Sequence, residues 1–148
     1  MAILVTGSTG TIGAQVLAHL QGRNVTVRAL TRSPETAQLP SGMTPVRGEL
    51  ADVESMRAAL GGVSTLFLLV PNVADELTQA MLALDFAREA GVKGIVYLSV
   101  FRGEACADVP HFAGKHTVER MIEALDLPTT ACAPPTSSRT TCACGIRC

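Results

Sequence analysis

Ala2-Ile3-Leu4-Val5-Thr6-Gly7-Ser8-Thr9-Gly10-Thr11-Ile12-Gly13 is the stretch that decides how this chain folds. Its first residues are apolar without alternation, as expected of a parallel strand covered on both faces. A helical stripe of Ile12, Val16, Leu17 and Leu20 begins among the glycines and ends before Gly22. A glycine-rich turn between a buried strand and a helix N-terminus gathers unpaired backbone N–H groups, which can hold a pyrophosphate. The spacing gives Gly7 the tight turn, Gly10 the close approach of backbone to phosphate, and Gly13 the close packing of helix on sheet. Together with Thr9, Thr11 and Ile12 these residues form the expected binding site for a nicotinamide dinucleotide. Glycines that serve a turn alone are the competing reading.

Working outward, Val25, Val27, Ala29 and Leu30 make a second strand that ends in Thr31-Arg32-Ser33, with Arg28 near an edge or facing a loop. A nonphosphorylated ribose calls for a carboxylate at that point, and none is present. Arg32 can instead make charge-assisted bonds to a 2′-phosphate, so NADP(H) is expected over NAD(H). A solvated surface arginine is the plain alternative. The turn holding Glu49 and Leu50 follows a third strand and is placed to border adenine. Val70-Pro71, after a fourth, is placed to pass the ribose or nicotinamide.

The remaining pattern alternates in the same rhythm. Met43 to Val46 reads as a strand weakened by Pro45. Asp52 caps a helix over Val53–Leu60 that turns Met56, Ala59 and Leu60 inward. Ser64 to Val70 is a buried strand, and a helix over 74–90 repeats Leu77, Met81, Leu84 and Ala87. Strand Ile95–Ser99, helix Pro110–Leu125 and a strand from Thr129 follow. This order predicts an α/β fold, a doubly wound parallel sheet of Rossmann type, incomplete, with five to six strands and right-handed crossovers. Residues 1–130 form the expected NAD(P)-binding domain and 131–148 an irregular tail. With so little chain beyond it, the fifth strand is expected to carry exposed apolar surface.

Composition narrows the function further. The 148 residues carry 12 basic and 13 acidic side chains, a formal charge of -1, without a run of either sign. Nothing here provides the clustered Lys and Arg of a nucleic-acid groove. No signal peptide or membrane span is indicated, so the cytoplasm is the expected compartment. Trp is absent and Tyr97 is the one tyrosine; an aromatic content of 3% is thin for a protein that must also enclose a substrate.

Chemistry on a bound dinucleotide would need side chains beyond the ends of the fourth and fifth strands. Ser99, His111 and Lys115 are the candidates. His111 and Lys115 lie four apart and share a helix face. The lysine can fix the nicotinamide ribose, and the histidine can give a proton near neutrality. Two surface residues at a helix start are the alternative.

Several stretches then align with one family. Residues 1–128 resemble the atypical short-chain dehydrogenase/reductases that include NmrA-like proteins and NAD(P)H-dependent quinone or azo-dye reductases. The markers are Gly7 to Gly13, Val27-Arg28-Ala29-Leu30-Thr31-Arg32, Gly48-Glu49-Leu50-Ala51-Asp52, Leu98-Ser99, His111-Phe112-Ala113-Gly114-Lys115 and Leu125-Asp126-Leu127-Pro128. The resemblance implies an NADPH-dependent reductase that passes a hydride to a small quinone-like acceptor. A non-catalytic dinucleotide sensor, or a remnant without activity, is the alternative. The wider superfamily places a tyrosine four before its active-site lysine; here that position is His111, so an alcohol–ketone mechanism is not expected. Family members continue more than a hundred residues further.

Cys132, Cys142, Cys144 and Cys148 crowd the end of the chain. A Cys-x-Cys pair without a supporting hairpin fits zinc poorly, so no metal site is expected. Disulfides are equally unexpected in the cytoplasm. The abrupt, aperiodic composition after about residue 131 reads as a frameshifted or truncated end.

Overall fold

Short aliphatic strands joined by helices have one economical arrangement, a parallel sheet with crossovers on its faces. The computed structural model describes residues 1–100 and 108–125, and the backbone of residues 129–132. In chain order the elements are β1 (Ala2–Val5), α1 (Thr11–Leu20), β2 (Thr26–Thr31), β3 (Met43–Arg47), α2 (Val53–Leu60), β4 (Thr65–Leu68), α3 (Glu76–Glu89), β5 (Gly94–Leu98), α4 (Pro110–Ala124) and β6 (Thr129–Cys132). The six strands lie in the order β3-β2-β1-β4-β5-β6, and every neighbouring pair is parallel. The chain winds outward from β1 to β3, then crosses back through α2 to β4. The order therefore reverses between β1 and β4, and crevices at the carboxyl ends of strands beside such a reversal are where these sheets bind ligands.

Helices α2, α3 and α4 cover one face. There Leu4, Leu66, Leu68, Ile95 and Tyr97 meet Met56, Leu60, Ala83, Leu84, Val118 and Ile122 in one core. Each fully buried leucine in it contributes about 1.5–3 kcal/mol relative to exposure. On the opposite face Leu17 of α1 packs against Ile3, Val5, Val27 and Ala29. Among the described residues no helix covers that face over β4 and β5, where Phe67, Val96 and Leu98 stay half-buried.

Several expectations are corrected. Leu77 and Met81 do not lie on the inward stripe of α3; they are 37% and 44% exposed. The buried positions are Glu76, Ala80, Ala83, Leu84, Phe86 and Ala87, so Leu84 and Ala87 of the expected stripe face inward while Leu77 and Met81 lie on the helix flank. Ile12 is likewise 43% exposed. Of the two alternatives for Arg28, the loop is the one that holds, since β2 lies between β1 and β3 and is no edge. The Arg28 guanidinium reaches the loop after α2 and donates to the carbonyls of Ala59 and Gly61 at 3.3 and 2.7 Å, where a cation suits the helix C-terminus. The fifth strand is not a bare edge, because β6 pairs along it from Ile95 to Leu98. The apolar exposure falls on the sheet face instead.

Pro45 is accommodated because β3 is the outermost strand. Asp52 caps α2 as expected, its carboxylate accepting from the N–H groups of Glu54 and Ser55 at 3.1 and 3.5 Å. Regular pairing of β4 stops at Leu68, short of Val70, because the Thr6 side chain takes the place of the ladder. Its hydroxyl donates to the Leu69 carbonyl and accepts from the Leu69 N–H, both at 2.8 Å.

Candidate functional site

The turn from β1 into α1 needs its glycines. Gly7 has φ +58°, the left-handed region that a side chain disfavours. A Cβ on Gly13 would lie 2.1 Å from the Gly7 carbonyl oxygen. The turn closes through the Gly10 N–H donating to the Gly7 carbonyl at 3.1 Å, and α1 starts with Ala14 N–H donating to the Gly10 carbonyl at 2.9 Å. Unlike α2, this helix has neither a capping side chain nor an acid in its first turn. Its leading N–H groups and positive dipole end therefore face outward beside exposed Thr9 and Thr11. That is the arrangement an anion requires.

Two hydroxyls hold this turn in place. Thr6 ties it to the end of β4, and the buried Ser8 Oγ donates to the Leu30 carbonyl at 2.6 Å, tying it to the end of β2. Sequence reasoning passed over both; the available signal is a hydroxyl at the end of an aliphatic strand, beside a glycine turn.

A cavity of about 610 Å³ opens beside the turn, lined among others by Ser8, Thr9, Thr31, Arg32, Ser33 and Gln38. The structure thus brings Arg32 and the glycine turn to one cavity. Arg32 is exposed and makes no ion pair among the described residues. Its neighbour Arg47 is engaged, pairing with Glu35 and donating to the Arg32 carbonyl at 3.0 Å. A backbone hydrogen bond, and then the Arg47 guanidinium, hold the Glu35 carboxyl below its usual range. Glu49 and Leu50 do not line this cavity: Glu49 is exposed, its N–H held by Ser55 Oγ at 3.1 Å, and Leu50 is buried in the core. Val70 is partly buried and Pro71 exposed beyond the end of β4.

A second cluster forms on the other side of the β1/β4 reversal. Glu76, the first residue of α3, is only 8% exposed. Its Oε2 lies 2.6 Å from His111 Nδ1 and its Oε1 2.8 Å from Lys115 Nζ. His111 and Lys115 project from one face of α4, one turn apart. Lys115 is 5% exposed; its ammonium also lies 3.5 Å from the Leu98 carbonyl and 5.2 Å from the centre of the Tyr97 ring. Burial, then the charges of Glu76 and Glu119, push the Tyr97 phenol above its ordinary range. The Tyr97 hydroxyl and the Ser99 Oγ are both buried without a hydrogen-bond partner among the described residues.

A cavity of about 540 Å³ lies against this cluster, lined among others by Asn72, Val73, Glu76, Leu77, His111 and Thr117. Glu76 left no distinguishing mark in the sequence, since an acid in a helix's first turn is ordinary. Buried charges require partners. Here the carboxylate ion-pairs with the ammonium through Oε1, which makes no hydrogen bond of regular geometry, and holds the imidazole through Oε2.

Among the described residues there is no group of three His, Cys, Asp or Glu able to hold a metal ion. No helix there is long and apolar enough to cross a membrane. Cys142, Cys144 and Cys148, the Cys132 side chain and most of the expected tail lie outside the described residues, while β6 carries regular backbone through Cys132.

Residues 1–140 match the model of the NmrA-like family. An NAD(P)H azoreductase of Xenophilus azovorans is 36% identical over 96 residues, covering 64% of this chain and 34% of that protein. The Citrobacter sp. triphenylmethane reductase complexed with NADP(H) is similar in structure, with a TM-score of 0.77 at 28% identity over 88% of this chain and 48% of that one. An NADPH-dependent quinone oxidoreductase of Escherichia coli gives 0.72 at 26% identity over 87% and 46%. The chain thus spans between a third and a half of the length of these relatives.

Proposed function

Because this chain belongs to the NmrA-like family, we propose that it carries the dinucleotide site of an NADPH-dependent reductase acting on a quinone-like acceptor. The observation that supports this reading most is the single cavity shared by the glycine turn and Arg32. The turn amides and the N-terminus of α1 take the pyrophosphate; the left-handed φ of Gly7 and the missing Cβ of Gly13, which would lie 2.1 Å from the Gly7 carbonyl oxygen, let the turn close tightly enough to present them. Arg32, with Thr31 and Ser33 beside it, takes the 2′-phosphate; a guanidinium there favours NADP(H) over NAD(H). Val70 and Pro71 lie on the path toward the second cluster, where His111 lines the cavity that takes the acceptor and Lys115 and Ser99 lie buried behind it.

When bound, the reduced nicotinamide supplies a hydride, and the acceptor takes one further proton to become the hydroquinone. This chain's part is to hold both molecules and to offer that proton from His111. NADPH oxidation dependent on added quinone, followed through the nicotinamide absorbance, tests the reading. Acceptor-dependent loss above the rate without protein is expected. Saturable NADPH binding without turnover would instead favour a sensor.

A further inference from the structure

A carboxylate that is 8% exposed and bridges a histidine and a lysine has a consequence for the histidine ring. An ionised carboxylate only accepts hydrogen bonds, so the His111 nitrogen facing it must carry the hydrogen. That nitrogen is Nδ1, at 2.6 Å from Glu76 Oε2. The neutral ring is then the Nδ1–H tautomer, and Nε2 is the nitrogen left for a ligand in the cavity that His111 lines. Lys115 cannot do the same work from this position. Its ammonium is buried and already shared between Glu76, the Leu98 carbonyl and the Tyr97 ring.

We propose that Glu76 is the positioning residue of this site, fixing His111 so that Nε2 is the atom that delivers the proton to the reduced acceptor. This rests on the reductase reading for its chemistry, and on the geometry alone for the tautomer. In the step itself the acceptor receives the hydride, and with it two electrons, from the reduced dinucleotide. The Nε2–H bond of the His111 imidazolium breaks, an O–H bond forms on the acceptor, and the ring is left neutral with its Nδ1–H still on Glu76. Water then returns a proton to Nε2. Glu76 lines the same cavity, but its two carboxylate oxygens are turned onto His111 and Lys115, so it acts through the ring.

The tautomer can be read without any cofactor. With three histidines in the chain, long-range ¹H–¹⁵N spectra of the imidazoles separate protonated from bare nitrogens, and loss of one signal set in His111→Asn assigns the residue. Wild-type His111 in its neutral form should carry its hydrogen on Nδ1. Glu76→Ala should move it to Nε2, the form that free histidine prefers. If the unpaired Lys115 ammonium unfolds that variant, Glu76→Ala combined with Lys115→Met removes both charges. That pair should show Nε2–H, whereas Lys115→Met alone keeps Nδ1–H. A neutral wild-type ring with its hydrogen on Nε2, or a folded Glu76→Ala ring still on Nδ1, overturns the proposal. In quinone-dependent NADPH oxidation, Glu76→Ala should lower kcat by about 10²-fold while the KM for NADPH holds; a loss confined to KM also overturns it. Absence of turnover in the wild type would count against the reductase reading, and the spectra would still decide the role of Glu76.

Discussion

The Ser8 hydroxyl donates to the Leu30 carbonyl across 2.6 Å of buried space, and so joins the glycine turn to the end of the strand that presents Arg32. The two halves of the proposed dinucleotide site, one for the pyrophosphate and one for the 2′-phosphate, are held in register by that bond. Ser8→Ala leaves the Leu30 carbonyl buried and short of a partner, so a stability loss of about 1–2 kcal/mol is expected. Urea unfolding should show a lower midpoint with an unchanged slope. No change in midpoint would mean the hydroxyl holds nothing together.

Two glycines separate packing from backbone strain. Gly13→Ala places a methyl group 2.1 Å from the Gly7 carbonyl oxygen, which forces the turn apart. A cost of about 3 kcal/mol or more and loss of dinucleotide binding are expected. Gly62→Ala meets nothing within 4 Å but sits at φ +72°, so the left-handed conformation alone should cost about 1 kcal/mol and leave binding intact. Thermal melts with and without NADPH distinguish the two, and equal behaviour would contradict the close-packing role of Gly13.

Tyr97 is the one tyrosine, so its ionisation can be followed directly by ultraviolet absorbance. Its folded-state value is raised, by burial first and by Glu76 and Glu119 after it. Below about pH 10 the phenol is neutral in both the folded and the unfolded chain and contributes no pH dependence. Above that pH the unfolded chain ionises first, so stability falls as pH rises. The absorbance change should appear together with alkaline unfolding. A clean titration near pH 10 in the folded protein would show that the phenol is not buried against those charges.

What was legible in the sequence was mostly what backbone geometry demands. Gly7 and Gly13 are needed for conformation and space, Asp52 for a helix cap, and unbroken aliphatic runs for strands covered on two faces, so each leaves its mark in residue type. Side-chain partnership leaves less. Leu77 and Met81 repeat at helical spacing as well as any buried pair, yet Ala80, Ala83, Leu84, Phe86 and Ala87 are the apolar positions that α3 buries. Leu50 reads as a neighbour of adenine by its place after a strand, and lies in the core. Glu76 meets partners 35 and 39 positions away, a pairing that only the packing of α3 beside α4 creates. His111 and Lys115 could be picked out by their spacing, but not the carboxylate that joins them.

Arg32 offers the most direct measurement of the proposed cofactor site. NADPH and NADH are titrated into the wild-type chain and into Arg32→Gln, with binding read by calorimetry or by the thermal shift that ligand linkage produces. Removing a guanidinium bonded to a phosphate should cost about 1.5–3 kcal/mol, roughly a ten- to hundredfold weaker NADPH affinity. NADH affinity should change little. Equal weakening of both dinucleotides, or of neither, would contradict a 2′-phosphate held at Arg32.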